Sequence, residues 1–242
     1  MTSDSTRQPA KRRDRITFSL VCAAGCWAIG LTGSQLLIQK HNRLRQIFEG
    51  PEDLSSNIQQ PRLDEKTLQQ MRRSVQAGDI IFRSGNSWLT QMAKQVAPET
   101  VYSHVGLVRM TGKQATVVHA SIETDDDSRV VEEPLGSFLQ KGNAHQVAVY
   151  RMKQVGFQTQ QRLSDVAIAY VENATPFDSD FDLATSEQVY CSELIWRVYL
   201  AVDVNLSDRG FEQFPFPFSG DYVTPDSLSQ SSHLERVYEL AY

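Results

Sequence analysis

Residues 103 to 121 read "SHVGLVRMTGKQATVVHAS", two apolar runs on either side of a glycine-containing turn signal. Such runs around a short turn predict a β-hairpin, which commits its domain to antiparallel pairing. "DIIFR" at 79 to 83 and "HQVAVYRM" at 145 to 152 read as further strands. Helical patterns flank them. "DEKTLQQMRRSVQAGD" ends at an Ala-Gly-Asp stop, and "SWLTQMAKQV" at 87 to 96 has Ser87 as a cap. "TQQRLSDVAIAYVENA" and "SELIWRVYLAV" follow, the latter with Leu194, Ile195, Val198 and Val202 on one stripe. Helices on both sides of a run of strands predict an α+β domain over residues 64 to 242, an antiparallel sheet with packed helices.

The chain before that domain has a different character. Residues 1 to 15 form a basic tail with Arg7, Lys11, Arg12, Arg13 and Arg15, and residues 16 to 38, "ITFSLVCAAGCWAIGLTGSQLLI", are predominantly apolar. Extended to Ile38, this segment reaches bilayer length, and the basic residues before it orient the tail to the cytoplasm. It reads as a signal-anchor, with a cleaved signal peptide as the alternative. A lipoprotein site at Cys26 fits less well, because Ala23 stands where Leu is usual and the apolar run continues past the cysteine. Residues 39 to 63 read as an amphipathic helix and a Pro-containing linker. The expected location is a bacterial inner membrane, single-pass, with the domain on the extracytoplasmic side.

Charge divides the chain in the same place. Of 24 Lys/Arg and 29 Asp/Glu, residues 1 to 50 hold eight and three, leaving 16 and 26 for the remainder. That is +5 followed by −10. So acidic a domain repels phosphate backbones and has no basic patch interleaved with aromatics, which disfavours nucleic acid as a partner.

Cys22 and Cys26 fall in the apolar segment, so Cys191 is the one cysteine of the predicted domain. It precedes the Leu194/Ile195 stripe by three and four residues, which places it on the inward face of a first helical turn. There the helix's partial positive charge favours a thiolate, and the amides of Cys191 or Ser192 can bind an oxyanion. A buried packing cysteine is the competing reading. His104 and His119 fall on the two strands of the hairpin, with His104 suited to act as general base and His119 to orient it. Two ordinary sheet histidines are the alternative. No third ligand at suggestive spacing accompanies them, and no cofactor is implied.

The motifs "AGDIIFRSG", "YSHVGLV", "ATVVHAS" and "PFDSDF" leading to "VYCSELIWRVY" resemble, in order and spacing, those of the YiiX-like, circularly permuted branch of the NlpC-type papain-like cysteine hydrolases. The resemblance covers residues 77 to 202, with a later "VTPDSL" at 223 to 228. It implies a permuted papain-like fold with Cys191 as nucleophile and His104 as base. The third position, a glutamate in many YiiX-like proteins, is His119 here, as in non-permuted relatives. Tyr102 helps bind the oxyanion, lines the cleft, or packs as an ordinary aromatic.

The implied activity is amide hydrolysis through a thioester, on a peptide of the cell envelope. A lipid acyltransferase using the same residues on an acyl substrate and a non-catalytic scaffold are the alternatives, and no protein partner is indicated. "ETDDD" at 123 to 127 reads as a solvated loop. "DSDFD" at 178 to 182 opens like a calcium loop but lacks the sixth-position Gly, and Val189 stands where the twelfth-position Glu belongs. "FPFPF" at 214 to 218 reads as an extended segment beside the core or a cleft.

Overall fold

The computed structural model describes residues 64–85, 100–122, 128–140, 144–213 and 220–241. The tail, apolar segment and linker of residues 1–63 lie outside these, as do the expected helix at 87–96, the acidic run at 123–127 and the Pro/aromatic segment at 214–218. Among the described residues no helix is long and apolar enough to cross a membrane.

The chain enters with α1 (Glu65–Ser74), capped by Asp64, whose carboxylate accepts from Thr67 N at 2.7 Å. β1 (Ile80–Ser84) follows, then the expected hairpin of β2 (His104–Thr111) and β3 (Gln114–Ser121). Gly112 turns it at φ +65°, backbone that glycine adopts without steric cost. β4 (Arg129–Pro134) runs into the short α2 (Leu135–Gln140), and β5 (Gln146–Met152) precedes α3 (Phe157–Glu172) and α4 (Cys191–Leu200). The two-residue strands β6 (Glu212–Gln213) and β7 (Asp221–Tyr222) pair with each other, α5 spans Pro225–Ser229, and β8 is Leu234–Ala241.

Among the described residues the main sheet has the order β4-β3-β2-β1-β5-β8, antiparallel throughout. The alternation of strand side chains divides the core into two. Ile80, Phe82, Val105, Leu107, Val118 and Ala120 face α3 and α4, meeting Leu163, Leu194, Ile195 and Val198. Ile81, Val108 and Val117 face the other way, toward Leu68 and Met71 of α1 and Leu135 and Phe138 of α2. The stripe read from "SELIWRVYLAV" is therefore the buried face of α4, although Val202 lies past its end.

The β2–β3 ladder stops short of one end. Pairing runs from Thr111↔Gln114 to Leu107↔Val118 and goes no further. Beyond it, residues of β2 stay with β1 (Val105↔Phe82, His104↔Arg83), and those of β3 stay with β4 (His119↔Val131, Ser121↔Arg129). The sheet splits between 104–106 and 119–121. All three sequence-predicted catalytic residues are at or beside this split.

Candidate active site

Cys191 is the first residue of α4, and burial covers its side chain. The helix start is locally determined: Leu194 N donates to Tyr190 O at 2.9 Å, and Glu193 reaches back so that its Oε2 accepts from Tyr190 N at 3.2 Å. Glu193 Oε1 is bridged by Arg197 Nε at 2.7 Å, one turn on. The loop feeding this turn is built on Asp178, whose buried carboxylate accepts from the amides of Asp180 (2.9 Å) and Asp182 (2.7 Å) and from Gln188 Nε2 (3.2 Å). "DSDFD" is thus a loop folded around its own first carboxylate.

The Cys191 sulfur is flanked by the backbone N–H groups of Ser192 and Val105. Burial pushes the thiol up to about 11 against the pull of these donors. The expected thiolate stabilisation at the helix start is present, but desolvation outweighs it, so the resting sulfur is a neutral thiol at pH 7. The Ser192 hydroxyl sits beside the sulfur too, yet it donates to Val223 O at 2.7 Å, and a hydroxyl has one proton to give.

His104 opens β2, next to the Val105 amide. Its Nε2 lies 2.9 Å from His119 Nδ1, with the two rings at 89°. His119 Nε2 lies 2.8 Å from Glu133 Oε1 on β4. Both imidazoles pack on Phe138 of α2, with ring centroids 5.6 Å and 5.1 Å away. Cys191 belongs to the core under α3 and α4, whereas the histidines lie on the side of α2. Sulfur and imidazole therefore meet at one backbone unit, His104–Val105: the Val105 amide flanks the sulfur, and His104 is the residue before it, where the ladder has opened.

The hydrogen-bond chain orders its own protons. An ionised Glu133 can only accept, so a neutral His119 carries its proton on Nε2 and presents Nδ1 as an acceptor. His104 then donates from Nε2, which leaves the lone pair on Nδ1. Arg83, paired with His104 across β1 and β2, adds a fixed charge. Its guanidinium lies 4.5 Å above Phe138 and donates to the Phe138 carbonyl. Burial brings Arg83 down to about 10, opposed by Glu133 and by the charge of a Cys191 thiolate, so it stays cationic at neutral pH.

Gly106 explains itself by close approach. A Cβ there would collide with Val117 Cγ1 and come within 3.2 Å of His119 Cβ. Only glycine leaves room for the Val117 side chain and the Val118 carbonyl on the facing strand. Tyr102 packs its ring with Phe82 (5.2 Å) and Tyr150 (6.5 Å), and its hydroxyl reaches Tyr150 and Arg236. Sequence reasoning missed Glu133 and Arg83. The alternation in "RVVEEP" could have marked a strand bearing a carboxylate, but nothing in the spacing joins it to His119. Among the described residues no group of three or more His, Cys, Asp or Glu is arranged to hold a metal ion.

Residues 74–238 match the permuted papain-like amidase family, YaeF/YiiX, C92. The chain belongs to this family. It is a papain-like amidase family of hydrolases, and the permuted fold with an antiparallel sheet and packed helices is that of this chain. The uncharacterized protein YiiX of Escherichia coli K12 is 32% identical over 125 residues, 51% of this chain and 57% of that protein. The chain thus spans little more than half the length of that relative. The crystal structure of metalloprotein yiiX from Escherichia coli O157:H7 superposes with a TM-score of 0.59 at 24% identity, covering 70% of this chain and 99% of the other.

Proposed function

We propose that this family member is an exported, membrane-anchored thiol hydrolase that cleaves an amide bond of a cell-envelope peptide through a thioester. The observation that carries this reading is the chain Glu133–His119–His104, whose last member directly precedes Val105, the residue whose amide flanks the Cys191 sulfur. His104 exchanges protons with Cys191 through Nδ1, since Nε2 is turned to His119. The thiol proton moves to His104 as sulfur bonds the substrate carbonyl carbon, and the oxyanion is met by the amide of Ser192 or Cys191 at the helix start. The carbon–nitrogen bond then breaks, and the amine leaves with the proton from His104. Water gives a proton to His104 and attacks the thioester, releasing a carboxylic acid and restoring the thiol.

Burial of the thiol supports a base-dependent nucleophile, because a group titrating near 11 is almost wholly protonated at neutral pH without help. The structural neighbour is described as a metalloprotein. The residues here do not fit such an ion, because both ring nitrogens of His119 are already engaged by His104 and Glu133. The basic tail and apolar segment of residues 7 to 38 support anchoring and export.

The test is acid-quench mass spectrometry of the protein mixed with envelope peptides. A peptidyl adduct on Cys191, absent in Cys191→Ala, is the expected result. A fatty-acyl adduct would move the substrate to lipids, and unchanged turnover in Cys191→Ala would overturn the mechanism.

A further inference from the structure

The segment "VTPDSL" binds both halves of the site. Val223 is buried, and both polar atoms of its backbone are held by side chains that flank Cys191. Its N–H donates to Tyr190 Oη at 3.0 Å, and its carbonyl accepts from Ser192 Oγ at 2.7 Å. Three residues on, each oxygen of Asp226 accepts a backbone N–H: Oδ2 from Val101 at 2.8 Å and Oδ1 from Tyr102 at 2.9 Å. Those amides belong to the chain entering β2, and the nearer is two residues before His104. One end of the segment grips the residues beside the sulfur, and the other grips the residues beside the imidazole.

The link between the ends is closed. Thr224 Oγ1 accepts from Ser227 N at 3.0 Å while Ser227 Oγ accepts from Thr224 N at 2.9 Å, and Pro225 starts α5 with its φ fixed by the ring. Leu228 is fully buried below this turn. The span from Val223 to Asp226 is therefore set by a reciprocal cap. Two adjacent amides on one carboxylate are charge-assisted bonds, stronger than neutral ones.

We propose that residues 223–226 form a strap that fixes the spacing of Cys191 and His104, with Asp226 as its positioning residue. This rests on Cys191 and His104 being nucleophile and base. Asp226 carries the backbone N–H groups of Val101 and Tyr102. It acts by holding the backbone ahead of His104, and a displacement on the order of 1 Å at a reacting pair can cost about a hundredfold in rate.

The test follows alkylation of Cys191 by iodoacetamide across pH, which needs no substrate, with melting curves alongside. In the wild type, reactivity persists at neutral pH. His104→Ala should lose it, leaving only the rise at high pH of an isolated buried thiol. Asp226→Asn keeps shape and one good acceptor, and it should lower the neutral-pH rate by about tenfold or more and move the profile toward that of His104→Ala. Asp226→Glu should recover part of the rate.

Asp208→Asn is the matched control for stability. Its carboxylate likewise holds loop backbone, accepting from Ser232 N at 3.0 Å, but away from Cys191 and His104. It should lower the melting temperature while leaving the alkylation profile unchanged. If His104→Ala loses neutral reactivity and Asp226→Asn keeps it, the strap is overturned and the catalytic pair stands. An unaltered profile in His104→Ala overturns the pair, and the strap with it. Equal loss in Asp208→Asn and Asp226→Asn would reduce Asp226 to a stability effect and overturn its positioning role.

Discussion

His119 Nδ1 receives His104 Nε2 at 2.9 Å across a gap where their two strands are no longer hydrogen-bonded to each other. Side chains bridge what the backbone has left open. That bond has a direction only because Glu133, on the far side of His119, accepts and cannot donate.

Glu133→Gln tests this directly. An amide in place of the carboxylate can donate to His119 as readily as accept, so the proton order along the chain is no longer enforced. Neutral-pH alkylation of Cys191 should fall by about tenfold or more, short of the roughly 10⁴-fold that a wrong tautomer costs in a serine triad. Glu133→Asp should fall less, and a variant with wild-type alkylation kinetics would show that Glu133 sets nothing.

Gly106→Ala should destabilise the domain by about 1–3 kcal/mol, because the added methyl overpacks against Val117 and the backbone beside His119. Urea titration gives the stability, and the same sample should show reduced Cys191 reactivity as His119 is pushed from its place. A melting curve equal to wild type would mean that the strands can separate further at no cost.

These residues also mark what was legible in the sequence. Period 2 in the hairpin and period 3.6 in α4 gave the two strands, the helix and the inward position of Cys191, because each is a local signal. β4 and β8 were missed for the opposite reason. They are the edges of the sheet, where Glu132, Glu133, Glu235, Arg236 and Glu239 replace an apolar run, and Pro134 closes β4. Glu133 and Asp226 reach their partners only through tertiary structure, Asp226 across 125 residues to Val101. No spacing encodes such a contact.

Glu193 should make stability fall with rising pH. Burial raises its carboxyl to about 7 from 4.5, with Arg197 opposing. A folded-state value above the unfolded one gives stabilisation that is complete below pH 4.5 and lost as pH rises through about 7. Relative to Glu193→Gln, which cannot titrate, wild type should lose up to about 3 kcal/mol over that window. Denaturant titrations of both proteins across that pH range check the sign. A wild-type advantage that grows with pH would contradict it.

Asp178→Ala should loosen the loop before α4. Two amides and the Gln188 side chain lose their acceptor, at a cost of about 1.5–3 kcal/mol for hydrogen bonds to a charged group. Limited proteolysis should then cut between residues 178 and 190, where wild type resists. Because the loop's ligand is its own carboxylate, added calcium should leave the wild-type melting curve where it was.

The proposed strap also gives the proposed site a birth order. Cys191, His104, His119 and Glu133 are all translated before Asp226, so a growing chain holds every reactive group while the piece that registers them is still to be made. Hydrolytic competence would then be the last property acquired during synthesis.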